Sequence, residues 1–125
     1  MSLTFIKEMD ELIRARYTLL YVVTWEEQRA RQLIAIIAEK QKKTLYEWSI
    51  TDGLRRVTGP PDHARAPDKR HRDVMTVLNE VLQSDSPALY ILKDFHTYLE
   101  ASEVVRQLRD LDYALRHTRK TIIVL

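Results

Sequence analysis

The sequence contains no cysteine and only two glycines. Without cysteine the chain forms neither disulfides nor thiolate metal sites, a composition typical of proteins in a reducing cytosol. No apolar run approaches the roughly 20 residues that a membrane-spanning helix needs. The N-terminus also lacks the basic region and apolar core of a signal peptide. We therefore predict a cytoplasmic domain with no membrane partner.

Charge is nearly balanced over the chain but not along it. The 125 residues, which fit one domain, carry a formal net charge of +2. Residues 55–72 depart from this balance, because they hold six Lys or Arg residues and two Asp residues. They also contain three of the four prolines. We predict a basic, proline-containing loop that is the most mobile segment of the chain.

Hydrophobic periodicity predicts helices that alternate with strands at residues 17–23, 44–50, 88–92 and 121–125. The first strand is almost wholly apolar and is expected to be buried on both faces. This alternation predicts an α/β fold, a three-layer sandwich with a mainly parallel four-stranded sheet. Because the last strand runs to Leu125, we expect the single domain of residues 1–125 to be the N-terminal part of a longer protein.

Ligands of parallel sheets bind at the carboxyl ends of the strands. Thr24-Trp25-Glu26-Glu27 follows the first predicted strand and matches a capping box, in which Thr24 and Glu27 cap the next helix reciprocally. The turn has no glycine and no lysine, and its two carboxylates repel phosphate, so we predict no nucleotide binding there. Asp94 follows the third strand. Glu26, Glu27 and Asp94 are a minority hypothesis for Mg²⁺ binding, although a structural role for Asp94 is favoured.

No coherent set of catalytic residues is present, so we expect a binding domain rather than an enzyme. The candidate contact residues at the strand ends are Trp25 and Phe95, because large aromatic side chains often anchor interfaces. The basic loop adds further candidates, which are Arg55, Arg56, Arg65, Lys69, Arg70 and Arg72. Nucleic acid is a less favoured partner for this loop than protein, since no aromatic residues are interleaved with its basic ones.

Four runs of the sequence carry a family resemblance, and they occur in order along nearly the whole chain. They are RARYTLLYVVTWEE at residues 14–27, LYEWSITDGL at 45–54, YILKDFH at 90–96 and VRQLRDL at 105–111. Together they resemble the N-terminal domain of a family of AAA-type ATPases found in cyanobacteria and algal plastid genomes. In that family a separate ATPase module lies C-terminal to this region.

The resemblance implies a degenerate P-loop ATPase-like fold that lacks its own nucleotide motifs. The turn at Thr24 would stand in place of a phosphate loop, and Asp94 in place of a magnesium-binding Asp. It also implies the strand order 1-4-3-2, with a receiver-like order 2-1-3-4 as the alternative. The implied function is a non-catalytic interaction or regulatory domain whose partners are the downstream ATPase module and another protein. ATP and Mg²⁺ are expected only in that module. A Mg²⁺ or small-molecule sensor and a nucleic-acid-binding domain remain the alternatives.

Overall fold

A computed structural model describes residues 3–58, 73–84 and 86–125. The helices are α1 (Leu3–Arg14), α2 (Glu27–Lys40), α3 (Val74–Gln83) and α4 (Ser102–Ala114). The strands are β1 (Leu19–Tyr21), β2 (Thr44–Ser49), β3 (Gly53–Thr58), β4 (Ala88–Leu92) and β5 (Lys120–Val124). A short 3₁₀ turn covers Phe95–Tyr98 after β4. The predicted alternation of helices and strands is therefore confirmed.

The strands form one five-stranded mixed sheet in the order β1-β5-β4-β2-β3. The four predicted strands lie side by side and parallel in the order 1-4-3-2, so the receiver-like alternative is wrong. The prediction of four strands is also wrong, because β3 adds an antiparallel strand beside β2. Its pairing begins at Ser49 opposite Gly53, and Gly53 takes a φ of 72° that only glycine adopts without strain. The predicted basic loop therefore begins as a strand, and residues 59–72 lie outside the described ranges.

Two helices cover each face of the sheet. On one face, α1 and α2 pack through Met9, Ile13, Ile34 and Ile37 onto β2, β4 and β5. On the other face, α3 and α4 enclose a larger core that includes Trp48 and Tyr90. The chain crosses from β1 to β2 with α2 on one face, and steps back through β4 to β5 with α3 and α4 on the other face. Crossover connections of the same handedness lie on opposite faces of a sheet when they run in opposite directions along it, as they do here.

The aromatic core fixes the carboxyl end of β4. Tyr46 and Tyr90 stack with ring centroids 5.0 Å apart. Phe95 is fully buried and contacts Trp48 and Tyr98 at centroid distances of 5.9 and 5.7 Å. The prediction of Phe95 as a surface contact is therefore wrong, because the 3₁₀ turn folds its ring under the end of the sheet.

In the described ranges, none of the helices combines the length and apolarity needed to cross a bilayer.

Candidate interaction surface

A cleft of about 350 Å³ lies at the carboxyl ends of β1 and β5. Its lining includes Glu27, Asp94 and His96 together with apolar residues 21–23. Asp94 adopts a left-handed conformation with φ 54°, and its amide donates to the Leu125 carbonyl at 3.1 Å. This geometry shows what Asp94 does in the fold: it turns the chain from β4 into the 3₁₀ turn.

The proposed magnesium ligands are only partly brought together. Glu27 and Asp94 line the same cleft, whereas Glu26 is exposed outside its lining. Across residues 3–58, 73–84 and 86–125, no three His, Cys, Asp or Glu side chains are grouped so as to hold a metal ion. The hypothesis of Mg²⁺ binding by Glu26, Glu27 and Asp94 therefore gains no support from the described residues.

The predicted capping box at Thr24 does not form. Helix α2 begins at Glu27 with Glu26 as its N-cap, and Glu26 makes no side-chain cap. The Thr24 hydroxyl instead accepts a hydrogen bond from the Glu26 amide at 3.0 Å, a local turn that competes with helix capping. Residues 22–26 therefore connect β1 to α2 without regular secondary structure, and Trp25 within them is exposed to solvent.

Large apolar side chains are exposed at every second position from Tyr17 to Trp25. Trp25 is fully exposed, Val23 is 84% exposed and Tyr21 is 58% exposed. Tyr17 and Leu19 continue the same alternation. We call these five side chains, Tyr17, Leu19, Tyr21, Val23 and Trp25, the β1 stripe. The prediction that this strand is buried on both faces is wrong, because β1 is the edge of the sheet and lies beyond the cover of α4.

The backbone of β1 is open as well. The Val22 amide donates to the Val124 carbonyl at 2.9 Å, and the Ile122 amide donates to the Thr18 carbonyl at 2.8 Å. Since peptide groups alternate in direction along a parallel strand, the N–H and C=O groups of Leu19 and Tyr21 point away from β5. Among the residues that the structure describes, β5 is the one strand that pairs with β1.

The two edges of the sheet are protected very differently. Proteins usually guard exposed edge strands with charged residues, prolines or bulges. The β3 edge carries Arg55 and Arg56, and a register shift at Leu45 and Tyr46 disturbs its pairing with β2. The β1 edge has no charged residue between Tyr17 and Trp25. An unguarded apolar edge of this kind is typical of a surface that is covered by another segment.

Of the six basic contact candidates, the structure describes only Arg55 and Arg56. Arg55 lies 3.6 Å from the buried Glu47 carboxylate, which also pairs with Arg31 and Lys93. Arg55 is therefore part of an ion cluster that joins β2, β3 and α2. Arg56 is exposed on β3. The remaining candidates, Arg65, Lys69, Arg70 and Arg72, lie outside the described residues.

Sequence comparison places this architecture in a family. A family model described as the SpoVK-like AAA ATPase N-terminal domain matches residues 5–125. The chain belongs to this family. No solved structure is significantly similar to it. The resemblance found from the four sequence runs is thus confirmed at the level of the family.

Curated relatives of this N-terminal domain come from algae. The chain is 31% identical over 126 residues to the uncharacterized AAA domain-containing protein ycf46 of Guillardia theta, with 98% of this chain covered. It is 33% identical over 122 residues to the protein of the same name from Trieres chinensis, with 97% covered. In both cases the match spans 24% of the relative. The chain therefore corresponds to about a quarter of the length of these AAA proteins.

Proposed function

We propose that this chain is a non-catalytic interaction domain of an AAA protein and that it docks onto the rest of that protein through the β1 stripe. The observation that carries the proposal is the β1 edge, where exposed apolar side chains coincide with peptide groups that no other described strand pairs. Aromatic anchors such as Trp25 and Tyr21 are the residue types that dominate interface energies. The family membership supplies the partner, since an AAA module belongs to the same polypeptide in the relatives.

The topology supports a docked segment of the same protein. Leu19 and Tyr21 lie opposite Ile122 and Val124, so their side chains share the α3–α4 face of the sheet. A further helix–strand unit after β5 would continue the steps that the chain takes from β2 to β4 to β5. If it kept the same hand, its helix would cover the β1 stripe and its strand would pair with β1. One unit would thereby satisfy both the open edge and the apolar face.

The non-catalytic part of the proposal, and its P-loop-like ancestry, have separate support. The strand order 1-4-3-2 fits a degenerate ATPase-like fold. The turn after β1 has no glycine, and Glu27 begins α2 where a phosphate would need backbone amides and positive charge. We expect the 125-residue chain to release no phosphate from ATP above a blank, whereas the full-length AAA protein does. Hydrolysis by the isolated chain would contradict a non-catalytic role.

The docking proposal is tested in the full-length protein with paired variants. Tyr21→Lys places a charge in the β1 stripe, and Trp25→Ala removes its most exposed anchor. Ile36→Lys is the matched control, because Ile36 is a comparably exposed apolar residue on α2. All three changes are at exposed positions, so the isolated domain should keep its melting temperature within a few degrees.

The readout is release of the N-terminal domain by limited proteolysis. We expect Tyr21→Lys and Trp25→Ala to accelerate cleavage between this domain and the rest of the protein, because undocking exposes the connection. Ile36→Lys should behave as the unmodified protein. Equal cleavage rates for all four proteins would show that the β1 stripe is not the docking surface. Unfolding of the isolated domain by Trp25→Ala would assign Trp25 to the core.

A further inference from the structure

A second concave surface lies at the amino ends of the strands, on the opposite edge from the cleft near Asp94. It is a cavity of about 270 Å³ whose lining we call the amino-end pocket: Arg14, Arg16, Lys40, Gln41, Lys43 and Arg119. The ends of α1 and α2 and the segments before β2 and β5 bring these residues together. Among the described residues, this lining contains five basic side chains and no acidic one.

The nearest carboxylate neutralises only the rim of this pocket. Asp10 pairs with Arg14 at 3.1 Å and with Lys40 at 3.6 Å, and it accepts a hydrogen bond from the Gln41 amide at 2.8 Å. Within the described ranges, no ion pair joins Arg16, Lys43 or Arg119 to a carboxylate. Arg119 makes one long hydrogen bond of 3.5 Å to the Gln41 carbonyl.

Lys43 is the feature that marks the pocket as built for a ligand. The residue is 5% exposed, and its ammonium has no hydrogen-bond partner among the described residues, although it faces the cavity. Burial lowers the pKa of Lys43, and repulsion from Arg119 and Arg16 lowers it further. Burying a cation beside two others is unfavourable unless an anion joins them.

The backbone around the pocket is also held in an uncommon conformation. Arg16 and Lys42, which follow α1 and α2, have positive φ values of 64° and 57°. Helices usually place glycine or asparagine at such positions. Long basic residues at both helix ends therefore occupy a conformation that does not favour them, while adding charge beside the cavity.

We propose that the amino-end pocket binds a small phosphate-bearing anion of about the size of pyrophosphate. Arg and Lys side chains are the groups that recognise phosphate oxygens, and arginine does so with paired hydrogen bonds. The volume is below the roughly 300–1,000 Å³ of pockets that hold drug-sized ligands. None of the described lining residues is aromatic, so none of them offers a ring for a nucleobase to stack on. The site lies away from the β1 stripe and does not depend on the proposed docking.

Calorimetric titration of the 125-residue chain with pyrophosphate tests the proposal. We expect saturable binding that weakens about ten-fold or more in Lys43→Met and in Arg119→Gln, the loss of one charged hydrogen bond in each case. Arg106→Gln is the control, since it removes one positive charge from exposed α4, where Arg106 pairs only with Asp110 among the described residues. This variant should bind within about two-fold of the unmodified chain. Lys43→Met should also raise the melting temperature, because it removes a cation that Arg119 and Arg16 repel.

Titrations with other ligands show which phosphate compound the pocket prefers and can contradict the proposal. Inorganic phosphate should bind more weakly than pyrophosphate, and adenosine, which has no phosphate, should not bind. Absence of pyrophosphate binding at millimolar concentration would overturn the proposal. So would an equal loss of affinity in Arg106→Gln, which would indicate general charge attraction. A short single-stranded RNA that binds where pyrophosphate does not would assign the surface to nucleic acid instead. If Lys43→Met did not fold, the exposed Arg119→Gln change would decide the outcome.

Discussion

Glu47→Gln replaces a charged carboxylate by a neutral amide of the same shape at the centre of a buried ion cluster. The Glu47 side chain is 3% exposed on β2. Arg31 donates to it from Nε at 2.6 Å and from Nη2 at 2.7 Å. The Lys93 ammonium lies 3.1 Å from the same carboxylate. The change therefore leaves several cations around a group that no longer carries charge.

The expected loss of stability depends on how well water can solvate the cations that lose their carboxylate partner. Breaking a buried ion pair by removing one partner costs about 3–5 kcal/mol when the other charge is left in the interior. Here Arg31 and Lys93 are 19% and 21% exposed, so water recovers part of that loss. We expect Glu47→Gln to lower the free energy of unfolding by about 2–4 kcal/mol. For a domain of this size this is a fall of roughly 10 °C in melting temperature.

The measurement is urea unfolding of the 125-residue chain, followed by circular dichroism. Arg31→Met is the comparison, because it leaves Glu47 with Lys93 and Arg55 and should cost less than Glu47→Gln. A loss below about 1 kcal/mol for Glu47→Gln would place it among ordinary surface pairs. That result would refute the view that this cluster holds β3 and α2 to the sheet.

Two further predictions concern single charged groups. Lys120 is buried and its ammonium donates to the Val81 carbonyl at 2.8 Å and to the carbonyls of Leu82 and Ser84, so Lys120→Met should cost about 1–3 kcal/mol by leaving the end of α3 unsatisfied. Chemical denaturation measures this, and an unchanged midpoint would contradict it. The hydrogen bond from Gln41, followed by the charges of Arg14 and Lys40, lowers the pKa of Asp10 from its ordinary value of 3.8. A carboxyl group whose pKa is lowered by folding stabilises the fold at pH values above its pKa in the unfolded chain. This stabilisation is lost as the pH falls through the pKa in the folded protein. Asp10→Asn should therefore destabilise the domain at pH 7 and make no difference once Asp10 is protonated in both states. Thermal melts over an acid pH series check this, and a pH-independent difference would contradict it.

The order of the sheet was predicted from the family resemblance, whereas the burial of its first strand was predicted wrongly from its composition. An almost wholly apolar run such as residues 17–23 is typical of a strand buried on both faces. The predicted order 1-4-3-2 nevertheless places that strand at the edge. The side chains of Leu19 and Tyr21 share the α3–α4 face of the sheet but remain exposed at its edge, and exposure alternates along residues 17–25. Combining order with alternation would have identified the β1 stripe.

Other features depended on contacts that local patterns do not specify. The Asp52-Gly53 pair is a hairpin signal, but the arginines and prolines that follow made residues 55–72 look like a continuous loop. Phe95 was predicted to be a surface anchor because it follows the end of a strand. It is buried because the 3₁₀ turn folds its side chain inward, and the sequence pattern did not indicate this turn. The amino-end pocket joins residues from Arg14 to Arg119, and no motif connects segments so far apart in the chain. Such sites become visible only once the topology brings the segments together.

The central claim is that the β1 edge is covered by another part of the AAA protein. Hydrogen exchange of the peptide containing Leu19 and Tyr21, compared between the 125-residue chain and the full-length protein, tests it most directly. We expect the outward-pointing amides of Leu19 and Tyr21 to exchange rapidly in the isolated chain and to become protected in the full-length protein. A peptide covering Arg55 to Thr58 on the opposite edge should exchange at the same rate in both. Equally rapid exchange of the β1 peptide in the two proteins would show that the β1 edge stays uncovered in the full-length protein.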